Sequence, residues 1–378
     1  MRKIGIYVHL PFCLTKCKYC DFNSFVGKSE KQRDYLFALC KEIKQYSERC
    51  NGAVIDTIYI GGGTPSTMFA GAIQTILAEI RKNYKVLSDA EISIEANPNS
   101  VTQSSATEWK EAGINRVSVG LQTTNANALK TIGRSHSKKD FINAINVLHD
   151  VGFHNINADL MIGLPKQKSS DVKYAINLCH KLGCKHISCY ALILEENTPL
   201  YIEVEKGIVK LPKEVKTLGM YNTAYKTLTD FGFNRYEVSN FAYHNFECTH
   251  NLNCWNLQEY LGFGAGAHGF IGNIRYSNVS SIEDYINLME SKSDAVATYE
   301  KRSSVDLYEE CIMLGLRTTK GVEIAKLDCY LKDSFVTKYE TAINKYKSMG
   351  YIIIDDGYIR VTDEGMMVLN QIILDLVM

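Results

Sequence analysis

The sequence predicts an α/β protein in which parallel strands alternate with crossover helices, followed by a small helical domain. Between the N-terminus and about residue 195, six short apolar runs alternate with amphipathic stretches. This alternation is typical of parallel strands that are joined by helices. From about residue 281 the pattern changes to successive helices and a final hairpin. Periodicity leaves open whether the parallel strands form an open sheet or an incomplete barrel.

Each element follows from a local pattern of apolar and turn-forming residues. Strands are predicted at 3–10, 54–60, 91–96, 116–121, 155–161 and 186–192, with a further one at 235–239. Helices of the first part are predicted at 31–47, 71–83, 103–112, 138–151, 170–182 and 213–231. Later helices are predicted at 281–290, 304–315, 322–328 and 334–348, before a hairpin at 350–362. The hairpin turns at Asp-Asp-Gly, and helices followed by such a hairpin resemble a winged-helix module.

These patterns divide the chain into three segments. A chain of 378 residues is long enough for one large domain and a smaller one. We predict that residues 1–240 form the parallel α/β part and that 281–378 form a C-terminal helical domain with the hairpin. A loop-rich segment that contains HNLNCW is predicted to connect them at 241–280.

The composition narrows the classes of function. Forty-two basic residues balance 42 acidic ones, so nothing in the bulk charge favours nucleic acid or an anionic membrane. No apolar run reaches about 18 residues, so no transmembrane helix is predicted. The first residues read as a strand rather than a charged and then apolar leader, and we predict a cytoplasmic protein. Twelve cysteines in such a chain favour metal ligands and buried thiols over disulfides.

Three cysteines near the N-terminus carry the most specific chemical signal. Cys13, Cys17 and Cys20 lie in PFCLTKCKYCDF, directly after the first predicted strand. Their spacing lets one short loop reach three corners of an iron–sulfur cube, and thiolates are the ligands that such clusters prefer. The fourth iron would stay open to a small molecule. The second Cys or His pair of a structural zinc site is missing, although free or zinc-bound thiols are the alternative.

The next strands end in residues suited to binding, at the edge where α/β folds place their chemistry. Gly62, Gly63 and Thr64 follow the second strand in GGGTPS. These glycines allow either close approach of the backbone to a ligand or a tight turn. Glu95 ends the third strand, where it can accept a hydrogen bond from a ribose hydroxyl or an amine, or cap a turn.

The later strands add an amide, a guanidinium and a carboxylate. Gln122 ends the fourth strand and can both donate and accept hydrogen bonds. Arg134 follows in Gly133-Arg134 and suits a carboxylate, although a lone arginine is usually a surface residue. Asp159 lies in an otherwise apolar strand, where an unpaired carboxylate is costly, so we favour a binding role for it.

The ordered series of motifs resembles the radical S-adenosylmethionine (SAM) superfamily. Within it, the chain is similar to the branch of oxygen-independent coproporphyrinogen oxidases and the related haem chaperone HemW family. The resemblance covers nearly the whole chain and rests on IYVHLPFC, CxxxCxYCDF, GGGTPS, IEANP, GINRVSVGLQ, GRSH, DLMIGLP, RYEVSNFA, HNLNCW and YLGFGAGAH. It implies an incomplete (β/α)6 barrel with the cofactor at the C-terminal mouth, plus a small C-terminal domain.

The resemblance also implies the cofactors and the residues that hold them. Cys13, Cys17 and Cys20 would hold a 4Fe–4S cluster, and the amino and carboxylate groups of SAM would chelate the fourth iron. Reduction would cleave the sulfonium to a 5′-deoxyadenosyl radical. The family's contacts to SAM match Tyr7, Tyr19, Gly62, Gly63, Thr64, Glu95, Gln122, Arg134 and Asp159.

Two features distinguish the two branches: a departure from the oxidase pattern and a near match to a haem-binding motif. The oxidase resemblance requires a further cysteine two positions after the third cluster cysteine, where this chain has Phe22. HNLNCW resembles the HNxxYW motif that is associated with haem binding, with Cys254 in place of tyrosine. His250 can supply an imidazole nitrogen to haem iron and is the candidate haem ligand. A hydrogen-bonded structural role is the alternative for His250, and Cys254 could add a thiolate.

The first hypothesis is a haem chaperone of radical-SAM architecture that binds a 4Fe–4S cluster, SAM and haem. It would transfer haem to an acceptor protein, and an electron donor would be a further partner. The alternative is an oxygen-independent coproporphyrinogen III oxidase that decarboxylates two propionates after hydrogen abstraction. Radical modification of RNA is a third hypothesis, which the balanced charge weakens. We therefore predict no nucleic-acid partner and leave enzymatic activity open.

Overall fold

The computed structural model describes residues 1–50, 52–292 and 294–378. The strands are β1 (Lys3–Leu10), β2 (Phe12–Cys13), β3 (Phe25–Val26), β4 (Val54–Gly62), β5 (Lys85–Ala96), β6 (Arg116–Gln122), β7 (Asn155–Ile162), β8 (His186–Ala191), β9 (Asn234–Arg235), β10 (Asn240–Ala242), β11 (Tyr260–Phe263), β12 (His268–Ile271), β13 (Ile274–Asn278), β14 (Val296–Lys301), β15 (Val322–Glu323), β16 (Ile352–Asp355) and β17 (Tyr358–Val361). The helices are α1 (Gln32–Tyr46), α2 (Ala72–Asn83), α3 (Gln103–Glu111), α4 (Ala126–Thr131), α5 (Lys138–Asp150), α6 (Ser169–Lys181), α7 (Pro199–Glu205), α8 (Glu214–Asp230), α9 (Thr249–Trp255), α10 (Ile282–Ser291), α11 (Ser304–Gly315), α12 (Ile324–Leu331), α13 (Phe335–Lys338), α14 (Glu340–Ser348) and α15 (Leu369–Val377).

The main sheet has twelve strands in the order β14-β13-β12-β11-β1-β4-β5-β6-β7-β8-β10-β9. The strands from β11 through β1 to β8 run parallel, and antiparallel strands extend both ends. Within the described residues the strand order does not close from β9 back to β14, so one side of the barrel is open. The six predicted parallel strands and the α/β class are therefore confirmed, and β11 is a seventh parallel strand.

The parallel strands appear in the sequence as continuous apolar runs because both of their faces are buried. In β6 the sequence RVSVGLQ is buried at every position except the last. Strands of parallel sheets are covered on both sides, here by crossover helices outside and by side chains inside. Helix α5 shows the matching pattern, because Phe141, Ala144, Ile145 and Leu148 recur every three or four residues and form its buried face.

The inner face of the barrel is polar. Asn157 donates to Ser118 Oγ at 2.7 Å and to Ser188 Oγ at 3.1 Å, and so joins β7 to β6 and β8. His186 Nδ1 lies 2.6 Å from Asn157 Oδ1, while Arg116 is buried at the start of β6. Because buried polar groups need partners, this network fixes the register of neighbouring strands.

The segment 241–280 is more regular than the predicted loop. It contains α9 and the strands β11, β12 and β13, which extend the main sheet. Glycines at 262, 264, 266, 269 and 272 interrupt the apolar alternation of these short strands, which is why the pattern reads as a loop. The predicted strand at 235–239 is wrong beyond its first residue, because Arg235 belongs to β9, which pairs with β10, and residues 236–239 connect the two strands.

The second core begins later than residue 281. Helix α10 buries Ile282, Tyr285 and Met289 in the core of the barrel, and β14 pairs with β13 at the edge of the main sheet. A separate core gathers the apolar residues of α11, α12, α14 and α15 around the sheet β15-β17-β16. These helices and the antiparallel hairpin β16–β17 agree with the predicted winged-helix-like arrangement.

The C-terminal domain docks on the open side of the barrel. Arg235 of β9 pairs with Asp363, and Thr319 N donates to Tyr236 O at 3.0 Å. Arg275 of β13 pairs with the buried carboxylate of Glu310 at 2.6 Å. Across the described part of the chain, no helix has the length and apolar character needed to cross a membrane.

Candidate functional site

The loop after β1 presents the three predicted cluster cysteines at the C-terminal edge of the sheet. Cys13 ends β2, and Cys20 N donates to Cys17 O at 3.2 Å. Each of the three is a free, partly exposed thiol. Lys16 Nζ donates to Phe22 O at 3.1 Å and to Ser24 O at 3.0 Å, which closes the loop on itself. Burial raises the pKa of the Cys20 thiol above its usual range.

Arg134 lies beside this loop. Its Nη1 donates to Cys17 Sγ at 3.5 Å, and its Nη2 donates to Gly120 O at 2.6 Å. Arg134 Nε is buried and has no hydrogen-bond partner among the described residues. A guanidinium with an unused donor, next to a thiol, is suited to an anionic group bound there.

The glycine run after β4 brings the backbone of one loop against another. Gly63 N donates to Leu10 O at 2.9 Å, and a Cβ at Gly63 would lie 2.7 Å from Phe12 O. Gly62 has φ of +112°, and a Cβ there would lie 2.7 Å from the His9 ring. Glycine is therefore required by the packing of this turn against the cysteine loop. Thr64 follows, with its Oγ1 3.4 Å from Cys13 Sγ.

Glu95 lies at the mouth of the barrel on β5. Its carboxylate accepts from Tyr59 Oη at 2.9 Å and from Gly62 N at 3.3 Å. Burial, together with the nearby Asp159 carboxylate, raises the pKa of Glu95 to about 7. A carboxylate held this way can accept a hydrogen bond from a hydroxyl or an amine of a bound ligand.

Asp159 projects from β7 into the same space. Ser118 Oγ donates to its Oδ2 at 2.9 Å, and Asn157 Nδ2 donates to its Oδ1 at 2.8 Å. Gln122 adopts a φ of +62° where β6 departs from the register of β7. This bulge turns the end of β6 next to Asp159.

Aromatic side chains complete the mouth. Tyr7 Oη lies 2.9 Å from His9 Nδ1, and the Tyr7 and Tyr59 rings stack with centroids 6.4 Å apart. Tyr19 packs against an apolar cluster that includes Leu129 and Met161. Burial raises the pKa of the Tyr7 and Tyr19 phenols above their usual range, so both stay neutral.

His250 lies elsewhere, inside the barrel and towards the beginning of the strands. Its Nδ1 is 2.9 Å from Thr57 Oγ1, and its ring stacks on Tyr59 with centroids 5.3 Å apart. Glu91 on β5 accepts from the backbone N–H groups of Thr249 and His250 at 2.9 and 3.0 Å, which fixes the start of α9. The histidine is only 5% exposed, and burial lowers its pKa to about 4.

Three other residues of the HNLNCW motif face a different space. A cavity of about 450 Å³ lies between the open edge of the barrel and the C-terminal domain. It is lined by Tyr190, Glu237, Val238, Ser239, Asn240, Asn251, Cys254, Trp255, Tyr260, Arg275 and Leu314. Helix α9 therefore divides its motif, because His250 contacts the barrel interior while Asn251, Cys254 and Trp255 line the cavity.

A single bound ion does not fit the described side chains, whereas a cluster fits the cysteine loop. Among residues 1–50, 52–292 and 294–378, no three His, Cys, Asp or Glu side chains converge on one ion position. Ligands of one zinc ion lie about 2.3 Å from it, whereas an iron–sulfur cube binds each thiolate at a separate iron. Three thiols on one loop, with the unused donor of Arg134 beside them, are a donor set of the kind that an iron–sulfur cube binds.

Comparisons with known proteins identify the family. The model of the radical SAM superfamily matches residues 7–197, and that of the HemN C-terminal domain matches residues 303–368. The heme chaperone HemW of Bacillus subtilis (strain 168) is 34% identical over 97% of this chain and 97% of its own length. This chain belongs to the HemW family of the radical SAM superfamily. Membership of the superfamily implies a 4Fe–4S cluster and SAM as cofactors.

Further comparisons find another HemW, a mitochondrial relative and a solved structure of the same fold. The heme chaperone HemW of Lactococcus lactis is 33% identical over 97% of this chain and 95% of its own length. The mitochondrial radical S-adenosyl methionine domain-containing protein 1 of Danio rerio is 30% identical over 98% of this chain and 86% of its own length. Coproporphyrinogen III oxidase (HemN) from Escherichia coli superposes with a TM-score of 0.87 at 22% identity, covering 99% of this chain and 90% of that chain. This last likeness shows the fold, an incomplete radical SAM barrel with a C-terminal domain.

The structure also shows which supporting residues the sequence reasoning missed. Tyr59 holds Glu95, whereas Ser118 and Asn157 hold Asp159. The available signal was a polar residue at alternate positions of strands that are otherwise apolar, since these side chains point inward together. The assignments of individual residues to the cluster, SAM and haem stay predictions.

Proposed function

We propose that this chain is a haem chaperone that binds a 4Fe–4S cluster, SAM and haem and transfers haem to an acceptor protein. The observation that carries the proposal is the alignment of relatives called heme chaperone HemW with 97% of the chain. Phe22, at the position where the oxidase resemblance requires a cysteine, supports the same choice. The chaperone would act in the cytoplasm and receive electrons from a separate donor.

The cysteine loop would hold the cluster through Cys13, Cys17 and Cys20. Arg134 supports this role, because its guanidinium already contacts Cys17 Sγ and has a donor to spare for a carboxylate. When bound, the cluster and SAM supply one-electron and radical chemistry that the side chains cannot supply. Thr64 lies beside Cys13, where its hydroxyl would donate to a sulfur.

The mouth of the barrel would hold SAM between the glycine turn and the strand ends. Gly62 and Gly63 let this turn pack closely against the cysteine loop, and Glu95, which accepts from Gly62 N, would accept from a hydroxyl or amino group of SAM. Asp159 offers a second acceptor, which Ser118 and Asn157 hold in place. The remaining proposed contacts would line the same mouth: Tyr7, Tyr19 and Gln122.

Haem would occupy the cavity next to this mouth. Its volume of about 450 Å³ lies in the range of small-molecule pockets. Tyr190 on its wall pairs in register with Met161, two residues beyond Asp159, so the cavity adjoins the proposed SAM site. Trp255 and Tyr260 add flat apolar surface, and Arg275 on the wall would have to share its guanidinium between Glu310 and a propionate.

The test is a haem titration of the full chain after anaerobic reconstitution of the cluster, with coproporphyrinogen turnover measured in the same samples. We expect one haem per chain, no vinyl product, and faster haem transfer to a haem-free b-type haem protein than haem loss to buffer. The cluster-free Cys17→Ala variant serves as the control for the cluster's contribution. Vinyl product together with 5′-deoxyadenosine would instead make the chain an oxidase. A chain that retains no haem contradicts the proposal.

A further inference from the structure

The ring of Tyr59 on β4 stacks with two other rings inside the barrel. Tyr7, its partner in register on β1, has its ring centroid 6.4 Å away at an interplanar angle of 27°. The His250 ring of α9 is closer, at 5.3 Å and 29°. The position of the Tyr59 phenol therefore depends on a histidine that comes from a different part of the chain.

The hydroxyl of Tyr59 holds the carboxylate of Glu95. It donates to Glu95 Oε1 at 2.9 Å, whereas Gly62 N donates to Oε2 at the longer distance of 3.3 Å. Burial raises the pKa of the Tyr59 phenol above its usual range, so the hydroxyl keeps its proton and remains a donor. The shorter hydrogen bond to this carboxylate thus comes from the ring that stacks on His250.

The seat of His250 is built by three strands of the barrel. Its Nδ1 lies 2.9 Å from Thr57 Oγ1, and Thr57 shares the inner face of β4 with Tyr59. A Cβ at Gly5 on β1 would lie 3.4 Å from the imidazole, so glycine lets the ring lie against that strand. Glu91 on β5 accepts from His250 N at 3.0 Å and fixes the backbone that carries the ring.

The imidazole is a neutral packing surface in this seat. It is 5% exposed, and burial lowers its pKa to about 4, so it carries no charge near neutral pH. A stacked pair of rings restricts both rings in position and tilt, which a small aliphatic side chain would not do. The contacts of His250 therefore constrain Tyr59 without placing a second charge beside Glu95.

We propose that His250 is a positioning residue for SAM, which acts through the Tyr59 ring on the hydrogen bond that Tyr59 donates to Glu95. This inference rests on the proposed function, in which Glu95 accepts from a hydroxyl or amino group of SAM. Without the imidazole, the phenol is free to move away from the carboxylate. SAM then binds more weakly, although the cysteine loop and Arg134 are unchanged.

The experiment is a double-mutant cycle on SAM affinity, measured by titration calorimetry of the cluster-loaded full chain without haem. The cycle consists of the wild type, His250→Ala, Tyr59→Phe and the variant with both substitutions. His250→Phe keeps a ring at this position. Leu148→Ala, which removes a fully buried side chain from α5, is the control for loss of stability alone. Iron content and far-UV circular dichroism show that each variant is folded and loaded.

We expect His250→Ala and Tyr59→Phe each to raise the Kd for SAM about threefold to tenfold, as for loss of a net hydrogen bond. In the Tyr59→Phe background, His250→Ala should change Kd by less than about twofold, because the hydroxyl through which it acts is already absent. His250→Phe should restore the wild-type Kd, and Leu148→Ala should leave it unchanged. If His250→Ala does not fold, His250→Leu, which fills the space without a flat ring, takes its place.

Three results would overturn the positioning role while leaving SAM binding intact. They are an unchanged Kd in His250→Ala, an equal rise in Kd with and without the Tyr59 hydroxyl, and an equal rise in Leu148→Ala. A wild-type chain that carries its cluster but binds no SAM would instead contradict the proposed function itself.

Discussion

His250 stacks on Tyr59 with ring centroids 5.3 Å apart and an interplanar angle of 29°. This contact places the histidine of HNLNCW beneath the aromatic layer that carries Glu95, since Tyr59 donates to that carboxylate. The histidine thus supports the proposed SAM site from below. In the described conformation His250 packs on Tyr59 and lies within hydrogen-bond distance of Thr57, and its assignment to haem stays a prediction.

His250→Ala should lower the midpoint of thermal unfolding, because it leaves a cavity beneath Tyr59 and an unpaired hydroxyl on Thr57. We expect a loss of about 2–4 kcal/mol for the cavity and the lost hydrogen bond together. His250→Phe should recover most of this loss because it keeps the ring. Replacement of the exposed His154 by alanine is the matched control. An unchanged midpoint in His250→Ala would show that the ring is not packed here.

Cys17→Ala should abolish the cluster. Loss of one of three thiolate ligands leaves the loop unable to hold the cube, so iron should fall from about four per chain to near zero. The measurements are iron and sulfide content and visible absorption after anaerobic reconstitution. Cys40→Ala, which removes a partly exposed thiol from α1, should retain full iron content. If Cys17→Ala keeps its iron, these cysteines do not hold the cluster.

Asp159→Asn should weaken SAM binding without loss of iron. The side chain remains the right size, but a charge-assisted hydrogen bond worth about 1.5–3 kcal/mol is lost, which corresponds to about a tenfold to hundredfold rise in Kd. Isothermal titration of the cluster-loaded protein with SAM measures this change. Asp150→Asn, at the exposed end of α5, is the control. An identical isotherm for Asp159→Asn would make this aspartate purely structural.

The sequence revealed the elements whose signals are local. The apolar runs of β1, β4 and β6 located the parallel strands, and the residues that follow them located the mouth of the barrel. It could not reveal that α9 places His250 and Cys254 in different spaces, because that depends on Glu91, more than 150 residues away along the chain. The short glycine-containing strands β11 and β12 were missed because a few residues carry no clear periodicity.

Gly63→Ala should displace the cysteine loop. A Cβ at Gly63 would lie 2.7 Å from Phe12 O and 2.8 Å from Phe12 N, and backbone atoms cannot move aside as a flexible side chain can. We expect reduced cluster occupancy with nearly unchanged circular dichroism. Gly219→Ala in α8 is the matched control, since its Cβ would meet nothing within 4 Å, and alanine should stabilise that helix slightly. Full occupancy in Gly63→Ala would mean that the turn relaxes freely.

Glu42 should make the stability of the apoprotein depend on pH. It is fully buried, where it accepts from Tyr285 Oη and Asn278 Nδ2 at 2.6 Å and from Gly264 N at 2.8 Å. Burial nevertheless raises its pKa from 4.5 to about 7. Between these values the folded state binds more protons than the unfolded chain, so this contribution to the free energy of unfolding falls as pH rises from about 4.5 to 7.

Glu42→Gln removes this titration. As the pH rises from 5 to 8, the free energy of unfolding of the variant should therefore increase relative to that of the wild type. The shift should be on the order of 3 kcal/mol at most, from the change in pKa. Urea unfolding of the metal-free chain at each pH measures it, and only the change with pH is interpreted, because glutamine also alters the hydrogen bonds at every pH. Glu30→Gln, which is exposed, should show no such trend. Parallel pH profiles for Glu42→Gln and the wild type would mean that Glu42 stays ionised, with its three donors compensating for its burial.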